Sequence, residues 1–386
     1  MLKKQLDKIR PHFEEGGKFG AFRSTFDALE TFLYVPNTTS KVGASIHDAI
    51  DSKRIMSFVI IALLPALLFG MYNIGYQNYM AAGVQASFFE MFFYGLIVML
   101  PKLVVSYGVG LGIEFVVAQW KGEEVHEGYL VSGILIPMIV PVDCPLWMLA
   151  LAVAFAVVFA KEVYGGTGMN IFNPALVARA FLFFAYPGKM TGDAVWLSKE
   201  SFFGLGNSLP DAITMATPLA EASAGRINQY DFMDFVIGTI PGSIGETSFV
   251  AIAIGAVILL WTGIASWRIM ASVFVGGALV GFLFNAVGPD TNVANLPWYT
   301  HLVLGGFAFG AVFMATDPVT SARTEKGKFI YGFLIGALAI AIRVLNPGYP
   351  EGMMLAILFM NMFAPLIDYC FVQSNINRRM ARAKKA

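Results

Sequence analysis

The chain has 386 residues, of which 57% are apolar and 13% are charged, against about 25% charged in ordinary soluble domains. A soluble fold of this length cannot bury so much apolar surface, so the composition predicts a protein whose solvent is the lipid bilayer. The net charge is zero, which argues against a nucleic acid as the partner. The two cysteines, Cys144 and Cys370, match neither a metal-binding nor a disulfide pattern.

Residues 1–54 alternate basic and apolar residues, with several aromatics among them. This pattern predicts a cytoplasmic arm of one or two amphipathic helices, lying against the membrane face or a partner. A merely solvated arm is the alternative. We expect no cleavable signal peptide in this charged stretch.

Ten apolar segments follow, and we interpret each of them as a transmembrane segment. They lie near residues 55–75, 88–118, 128–142, 146–164, 174–187, 233–261, 268–287, 299–315, 329–345 and 350–371. The third and fifth are short, so they can cross only where protein shields the neighbouring non-helical backbone. The sixth contains Pro241 and Gly242, and we expect a bent helix there.

The distribution of basic residues predicts the orientation, because Lys and Arg accumulate on the cytoplasmic side of a membrane. With ten crossings and a cytoplasmic N-terminus, 20 of the 26 Lys and Arg residues lie inside and three lie outside. The other three, Lys102, Arg179 and Arg343, fall within segments. Both termini, including the basic tail 372–386, are then cytoplasmic, and the polar loop 188–230 is extracytoplasmic.

A short repeat divides the apolar region into two parts. Asn173-Pro174 opens one segment and Asn346-Pro347 opens another, and the predicted topology puts these two starts on opposite faces. The repeat indicates two inverted five-helix halves, about 55–187 and 233–371, an arrangement that places binding sites between the halves. A chance similarity of two Asn-Pro breaks is the alternative. The expected fold class is therefore an all-α integral membrane protein with about ten transmembrane helices.

A glycine-rich stretch, residues 165–168, separates the fourth segment from the fifth and leads to Asn170 and Asn173. Glycines allow the backbone to approach a ligand closely, and the asparagine amides can donate and accept hydrogen bonds. A loop of this kind that feeds a helix N-terminus can meet an anion or a polar ring edge. A tight re-entrant turn without a ligand is the alternative.

Four carboxylates lie in or near the apolar segments, namely Glu114, Glu127, Asp317 and Asp368. Such residues cost about 2.5–3.5 kcal/mol at the centre of a span, so they usually have a purpose. Hard cations such as sodium prefer oxygen ligands, and carboxylates supply them. A place at the membrane interface, or a partner role for Arg179 or Arg343, is the alternative.

The loop 188–230 contains the stretch D-A-I-T-M-A-T at residues 211–217, followed directly by Pro218. Its two hydroxyls, on Thr214 and Thr217, lie three residues apart behind Asp211. Taken alone, this is a polar loop with an accessible hydroxyl, and an ordinary Thr-Pro turn is the alternative.

With these residues in view, the chain resembles the B subunits of bacterial sodium-translocating NADH:quinone oxidoreductases along essentially its whole length. The likeness includes K-R-I-M from Lys53, G-G-T-G-M-N-I-F-N-P-A-L from Gly165 and R-V-L-N-P-G-Y-P-E-G-M-M-L-A from Arg343. The related D subunits of Rnf ferredoxin:NAD complexes share the N-P-A and A-T-P-L elements. They generally lack an arm like residues 1–54, which favours the first family.

The resemblance implies that a flavin transferase attaches FMN, through its phosphate, to a threonine in a D-G-x-[ST]-G-A-T motif. The positions in register with this motif are Asp211, Thr214, Ala216 and the acceptor Thr217. Ala212 and Met215 replace its two glycines, which bears on loop geometry more than on the acceptor. Thr316 shares M-A-T but lies on the predicted cytoplasmic side and lacks the upstream acid.

The resemblance also implies a non-covalent riboflavin at Asn170 and Asn173, and ubiquinone or menaquinone near the cytoplasmic face and the N-terminal arm. The implied protein is a redox subunit in the bacterial inner membrane, with a flavoprotein subunit and Fe–S-bearing membrane subunits as partners. It passes electrons from FMN through riboflavin to quinone while Na⁺ is translocated. Asp317 and Asp368 are the candidates for the ion path, with Glu127 as a third.

Two other functions stay open at this point. One is an electron-transport subunit of the Rnf type. The other belongs to a different class, a passive channel or solute transporter, because ten segments in two inverted halves also describe urea-transporter-like folds.

Overall fold

The computed structural model describes residues 52–122, 128–226, 230–289, 291–346, 348 and 351–384, with positions 6, 8–13, 20, 26, 30, 34, 42 and 43 before them. Over these residues the regular structure is helical, and the only strand-like feature is an isolated β-bridge between Phe202 and Leu205. The predicted all-α class is confirmed for this part of the chain.

Ten of the helical elements in this described part are labelled here. They are α1 (Ser52–Ala82), α2 (Phe88–Lys121), α3 (Tyr129–Ile139), α4 (Leu146–Phe155), α5 (Pro174–Ala185), α6 (Phe249–Trp261), α7 (Trp267–Val287), α8 (Phe307–Phe309), α9 (Glu325–Leu345) and α10 (Met353–Ala383). α4 continues through a π-helical turn (Ala156–Lys161) and a 3-10 turn, and α8 continues through a π-helical turn (Gly310–Met314).

Within the described ranges, six helices are long and apolar enough to cross a membrane: α1, α2, α4 with its extension, α7, α9 and α10. The helices α3, α5 and α6 are apolar but have only 11, 12 and 13 residues. At about 1.5 Å per residue they fall short of a hydrocarbon core of about 30 Å. The expectation of short helices in the third and fifth segments is confirmed, and the chain is a multi-pass membrane protein.

The sixth segment was expected to be one bent helix, and this expectation is wrong. A short helix, Phe232–Ile237, ends at Gly238, whose φ of 100° lies in the left-handed region that favours glycine. The helical path resumes only at α6, where the Ser248 hydroxyl accepts the N–H of Ala251. Residues 238–248 are non-helical, and Pro241 within them has no N–H to give to a helix.

This non-helical stretch is enclosed by protein. The Asn73 side chain on α1 donates to the carbonyl oxygen of Ile240 at 2.9 Å. The backbone N–H of Gly245 donates to the carbonyl oxygen of Met138 at 2.8 Å. Backbone polar groups at membrane depth need such partners, because lipid supplies none.

The long helices pack in pairs through small residues, and their outer surface is apolar. α7 and α9 approach so closely that a Cβ at Gly336 would collide with the carbonyl oxygen of Val273. Trp120 and Trp261, at the ends of α2 and α6, are 86% and 88% exposed. Indole rings at helix ends are typical of membrane–water interfaces.

Most of the predicted amphipathic arm, residues 1–54, lies outside the described residues. Inside them, Arg10–His12 form a single 3-10 turn, and Arg10 Nη2 pairs with Glu30 Oε2 at 2.6 Å. At the other end, α10 runs through Pro365 to Ala383, so most of the predicted tail 372–386 is a continuation of this helix.

Candidate functional site

Thr217 lies where the polar loop 188–230 turns into a short helix, Pro218–Ser223. Its backbone is extended, and its hydroxyl oxygen accepts the N–H of Ala220 at 3.3 Å, so it caps this helix. A threonine cap followed by proline in the first turn is a favourable start for a helix. Thr217 is half-buried and lines a cavity of about 260 Å³. We call this the Thr217 cavity.

The other three residues of the predicted motif lie elsewhere on the loop. Asp211 and Thr214 are exposed and Ala216 is half-buried, and none of the three lines the Thr217 cavity. Lys199 Nζ donates to the carbonyl oxygen of Asp211 at 3.0 Å, which ties this end of the motif to the preceding loop. The structure therefore brings one of the four motif residues, Thr217, to the cavity.

The walls of the Thr217 cavity come from several distant parts of the chain. Phe183 of α5 and Trp196 of the loop supply aromatic surface, and the Trp196 indole N–H donates to the carbonyl oxygen of Gly192 at 2.8 Å. The non-helical stretch 240–243 and the paired glycines Gly305 and Gly306 supply bare backbone. Backbone and aromatic surface together suit a flat polar ring.

Beyond the cavity mouth, the helix that Thr217 caps carries a surface ion pair. Arg226 Nε and Glu221 Oε2 are 2.7 Å apart. The hydrogen bond from Arg226 lowers the pKa of the Glu221 carboxyl below its usual range. This pair links the short helix to Arg226, which follows it, and neither residue lines the cavity.

A second, smaller cavity of about 110 Å³ lies at the other end of α5, and we call it the Asn173 cavity. The Asn173 side chain accepts the N–H groups of Ala175 and Leu176 at 3.0 and 3.4 Å, so it caps α5. Its amide nitrogen donates to Asp317 Oδ2 at 3.2 Å. Asn170 also lines this cavity, and its amide donates to the carbonyl oxygen of Phe172 at 3.0 Å. The two predicted asparagines and Asp317 therefore share one site.

A buried ion pair borders the Asn173 cavity. Lys161, in the π-helical turn after α4, lines the cavity and bonds to Glu114 of α2, and both side chains are buried. Thr316 lines it too, but its hydroxyl donates to the carbonyl oxygen of Val312 at 2.6 Å. The Thr316 hydroxyl thus has a backbone partner, and the residue is 7% exposed.

The three candidate ion-path carboxylates have different surroundings. Asp317 is half-buried and accepts the N–H of Val319 at 3.0 Å and the hydroxyl of Thr320 at 3.2 Å. Asp368 lies apart from both cavities and accepts two backbone N–H groups and the hydroxyl of Thr324, the residue that precedes α9. Glu127 lies outside the described residues. No group of three or more His, Cys, Asp or Glu side chains at metal-binding distance occurs in the described ranges.

The two cavities are connected by short helical elements from both parts of the chain. α5, capped by Asn173, reaches the Thr217 cavity at Arg179 and Phe183, which lie about 9 and 15 Å further along the helix. The segment from Gly306 to Asp317 also lines both cavities: Gly306 lines the Thr217 cavity and Asp317 lines the Asn173 cavity. The geometry thus places the two cavities within one helix length of each other.

Comparison with known proteins resolves the family. Residues 39–377 match the NQR2, RnfD, RnfE family model. The chain belongs to this family. It is 46% identical to the B subunit of the Na(+)-translocating NADH-quinone reductase of Chromohalobacter salexigens, over 99% of this chain and 96% of that protein. The subunits of the same name from Ectopseudomonas mendocina and Pseudoalteromonas atlantica are 46% and 45% identical, over 98% and 99% of this chain and equal shares of their own length.

Two sets of charged residues in this member of the NQR2, RnfD, RnfE family were not expected from the sequence. Arg179 bonds to Glu246 and Glu351, neither of which stood out along the chain. Arg343, by contrast, donates to the carbonyl oxygens of His301 and Leu304 at 2.7 and 3.1 Å. One sequence signal could have identified Glu246 and Glu351: each is an acidic residue inside a glycine- and proline-rich break, in G-S-I-G-E and Y-P-E-G respectively.

Proposed function

We propose that this chain is the membrane redox subunit of a sodium-translocating NADH:quinone oxidoreductase. In this role it passes electrons from FMN, covalently attached to Thr217, by way of riboflavin to quinone, and couples this transfer to Na⁺ movement. The names of the relatives support the assignment. The observation that carries it is the place of Thr217, whose side chain lines a ring-sized cavity while its loop stays accessible to a modifying enzyme.

The residues around Thr217 fit a tethered FMN. A threonine hydroxyl can take the phosphoester bond, and Phe183 and Trp196 offer ring surface beside it. When bound, the isoalloxazine ring supplies the electron-transfer chemistry, while the protein supplies position and electric field. The covalent bond keeps the local flavin concentration high at a site that faces a water-accessible loop.

The residues around Asn173 fit the polar edge and hydroxylated chain of riboflavin. Asn170 and Asn173 offer amides, and Ser132 and Thr167 add hydroxyls. At about 110 Å³, this cavity is below the size of pockets that enclose whole drug-sized ligands. It therefore fits part of a flavin, held by hydrogen bonds rather than by a covalent bond.

The proposed topology has ten crossings in two inverted halves, with both termini cytoplasmic. The six long helices cross alone, and α3, α5, α6 and α8 complete their crossings with enclosed non-helical backbone. α2 packs on α4 in the first half, as α7 packs on α9 in the second. The Thr217 cavity then opens outward and the Asn173 cavity lies toward the cytoplasm.

Asp317 is the first candidate for the sodium path, because its carboxylate lies in the Asn173 cavity next to the proposed riboflavin. Asp368 and Glu127 are further candidates on the same proposed face. Coupling requires that reduction near Asn173 changes the affinity for Na⁺, since only differential binding shifts an equilibrium. Quinone is proposed to bind near the cytoplasmic face and the N-terminal arm.

The covalent claim is tested by in-gel fluorescence. The denatured chain, purified from cells that carry the flavin transferase, is expected to fluoresce under ultraviolet light, and Thr217→Ala is expected to abolish the signal. Thr214→Ala is the matched control, since it removes an exposed hydroxyl three residues away and outside the cavity.

A dark wild-type band contradicts the assignment and favours the channel or solute-transporter function. A band that is lost in Thr214→Ala but kept in Thr217→Ala moves the acceptor to Thr214. The Rnf-type alternative is separated by the electron donor, because the purified complex should reduce quinone with NADH and without ferredoxin.

A further inference from the structure

A tight turn in the polar loop 188–230 presents one phenyl ring to the outside of the molecule. The backbone N–H groups of Phe202 and Leu205 each donate to the other residue's carbonyl oxygen, at 2.9 and 2.8 Å, so the chain reverses over the two residues between them. Those two residues, Phe203 and Gly204, have φ angles of 53° and 80°. The side chain of Phe203 is almost fully exposed, at 95%. We call residues 202–205 the Phe203 turn.

The backbone of Phe203 adopts a conformation that this residue type avoids. Among the non-glycine residues that the structure describes, it is the one with a positive φ. Such a φ is strained for a bulky side chain, and Gly, Asn or Asp normally occupy these turn positions. The exposure of the ring leaves it almost no packing against the described residues that would offset this strain. A strained and exposed aromatic side chain points to a contact outside the chain.

Hydrogen bonds hold both flanks of the Phe203 turn against α1 and α2. The Asn78 side chain, near the end of α1, donates to the carbonyl oxygens of Ser198 and Asn207 at 2.9 and 3.0 Å. The Tyr94 hydroxyl, in the second turn of α2, donates to the carbonyl oxygen of Glu200 at 2.6 Å. Asn78 and Tyr94 are both fully buried. The turn therefore has a fixed position relative to two membrane-spanning helices.

The contact with α2 gives the depth of the turn in the membrane. Trp120, which is exposed near the other end of α2, marks one membrane–water interface. Tyr94 lies about 39 Å from Trp120 along the helix, at about 1.5 Å per residue. This length exceeds a hydrocarbon core of about 30 Å but stays within the about 40–45 Å that include the headgroup regions. The Phe203 turn, bonded to Tyr94, therefore lies at the level of the opposite interface.

The protein surface at this level is apolar and carries little charge. Phe88, Phe89 and Phe93, in the first two turns of α2, are 58%, 68% and 48% exposed. Residues 201–210, which include the turn, contain no Asp, Glu, Lys or Arg. Exposed aromatic side chains without neighbouring charges fit the boundary between lipid headgroups and acyl chains, whereas a charged turn would stay in water.

We propose that the Phe203 turn is a membrane anchor, whose phenyl ring enters the headgroup–acyl boundary of the bilayer on the face opposite Trp120. The anchor also restrains the next part of the loop, because Lys199, just before the turn, donates to the carbonyl oxygen of Asp211 at 3.0 Å. This inference goes beyond the proposed function. It needs no flavin at Thr217, so its failure leaves the fluorescence result in the gel unaffected.

The first experiment is photo-cross-linking of the intact complex in isolated membranes. The photoreactive analogue p-benzoylphenylalanine replaces Phe203, and after irradiation this chain is expected to gain the mass of one phospholipid. The same analogue in place of Phe93 is the positive control, because Phe93 is exposed on α2 next to Tyr94. In place of Ala212, an exposed residue of the same loop, it should give no lipid adduct.

The products of irradiation distinguish the possible occupants. An adduct between position 203 and another subunit of the complex overturns the anchor and assigns the turn to a subunit contact. A position 203 that stays unmodified places the ring in water and overturns the anchor as well.

A second variant separates the ring from the strained backbone. Phe203→Asn removes the ring but suits the positive φ, because Asn tolerates the left-handed region. In lipid nanodiscs that hold the intact complex, trypsin should cut after Lys199 about fivefold faster in Phe203→Asn than in wild type, because an anchored turn opens less often. Ala212→Asn is the matched control and should leave the rate unchanged. Equal or slower cleavage of Phe203→Asn overturns the anchor, since relief of strain alone makes the turn more stable.

Discussion

The Thr217 cavity and the Asn173 cavity lie at opposite ends of α5 and are built from different chemistry. The first combines aromatic surface, a buried charge cluster and the hydroxyl of Thr217, which is also a helix cap. The second is a network of amides and one carboxylate that are already bonded to each other or to backbone. Under the proposed function, the first site holds its flavin by a covalent bond to Thr217, whereas the second holds its ligand by hydrogen bonds alone.

Removing the support of the Thr217 cavity should have the largest effect. Arg343 is 1% exposed and donates to the carbonyl oxygens of His301, Leu304 and Glu351, next to Gly305 in the cavity wall. Arg343→Met leaves these acceptors without their donor, at about 1–3 kcal/mol for each orphaned group. We expect a clear fall in the thermal unfolding temperature of the purified complex.

The matched comparison is Lys102→Met, which removes the donor to two carbonyl oxygens, those of Pro141 and Val142, at the end of α3. Its effect should be smaller than that of Arg343→Met. An Arg343→Met complex as stable as wild type would show that the carbonyls find other partners.

The Asn173 cavity should respond to loss of its central amide. Asn173→Ala removes the cap of α5, worth about 1 kcal/mol, and the link to Asp317. We expect about a tenfold weaker hold on non-covalent flavin, or about 1.4 kcal/mol. The measurement is the flavin released on denaturation, with the fluorescent band in the gel unchanged.

Ser248→Ala is the control for this change, because it also removes a helix cap, that of α6, but lines neither cavity. Equal losses of releasable flavin in Asn173→Ala and Ser248→Ala would mean that only helix stability was changed.

The two carboxylates proposed for sodium should differ. Asp317 faces the Asn173 cavity, so Asp317→Asn should raise the Na⁺ concentration for half-maximal quinone reduction about tenfold, or about 1.4 kcal/mol. Asp368→Asn weakens the acceptor of the backbone N–H groups of Arg323 and Thr324, which directly precede α9. Part of its effect should therefore appear as lower stability of the start of α9. Unchanged sodium dependence in both variants removes them from the ion path.

The smallest effect is expected at the surface near the Thr217 loop. Lys189 and Asp143 form an ion pair at 3.4 Å, and their side chains are 47% and 54% exposed. Exposed pairs contribute about 0–1 kcal/mol. Lys189→Ala should therefore leave both the unfolding temperature and the fluorescent band near wild type, and a large change would assign this pair to a subunit contact.

The sequence determined those features that depend on neighbouring residues. Apolar runs predicted the six long helices, and the Asn173-Pro174 pair predicted the start of α5, because capping and burial in lipid act locally. The break in the sixth segment was underestimated, since a Pro-Gly pair permits either a kink or an open stretch. Which of these forms depends on whether Asn73 and Met138 are present to satisfy the freed backbone.

Tertiary structure alone decided how the sites are assembled. The Thr217 motif was visible along the chain. Only one of its four residues, Thr217, lines the cavity, and this depends on how the loop packs against α5. Arg179 meets carboxylates 67 and 172 residues away. No local pattern could predict such pairs, because they form only where two distant breaks and one short helix converge, and a buried charge takes whichever partner the packing brings to it.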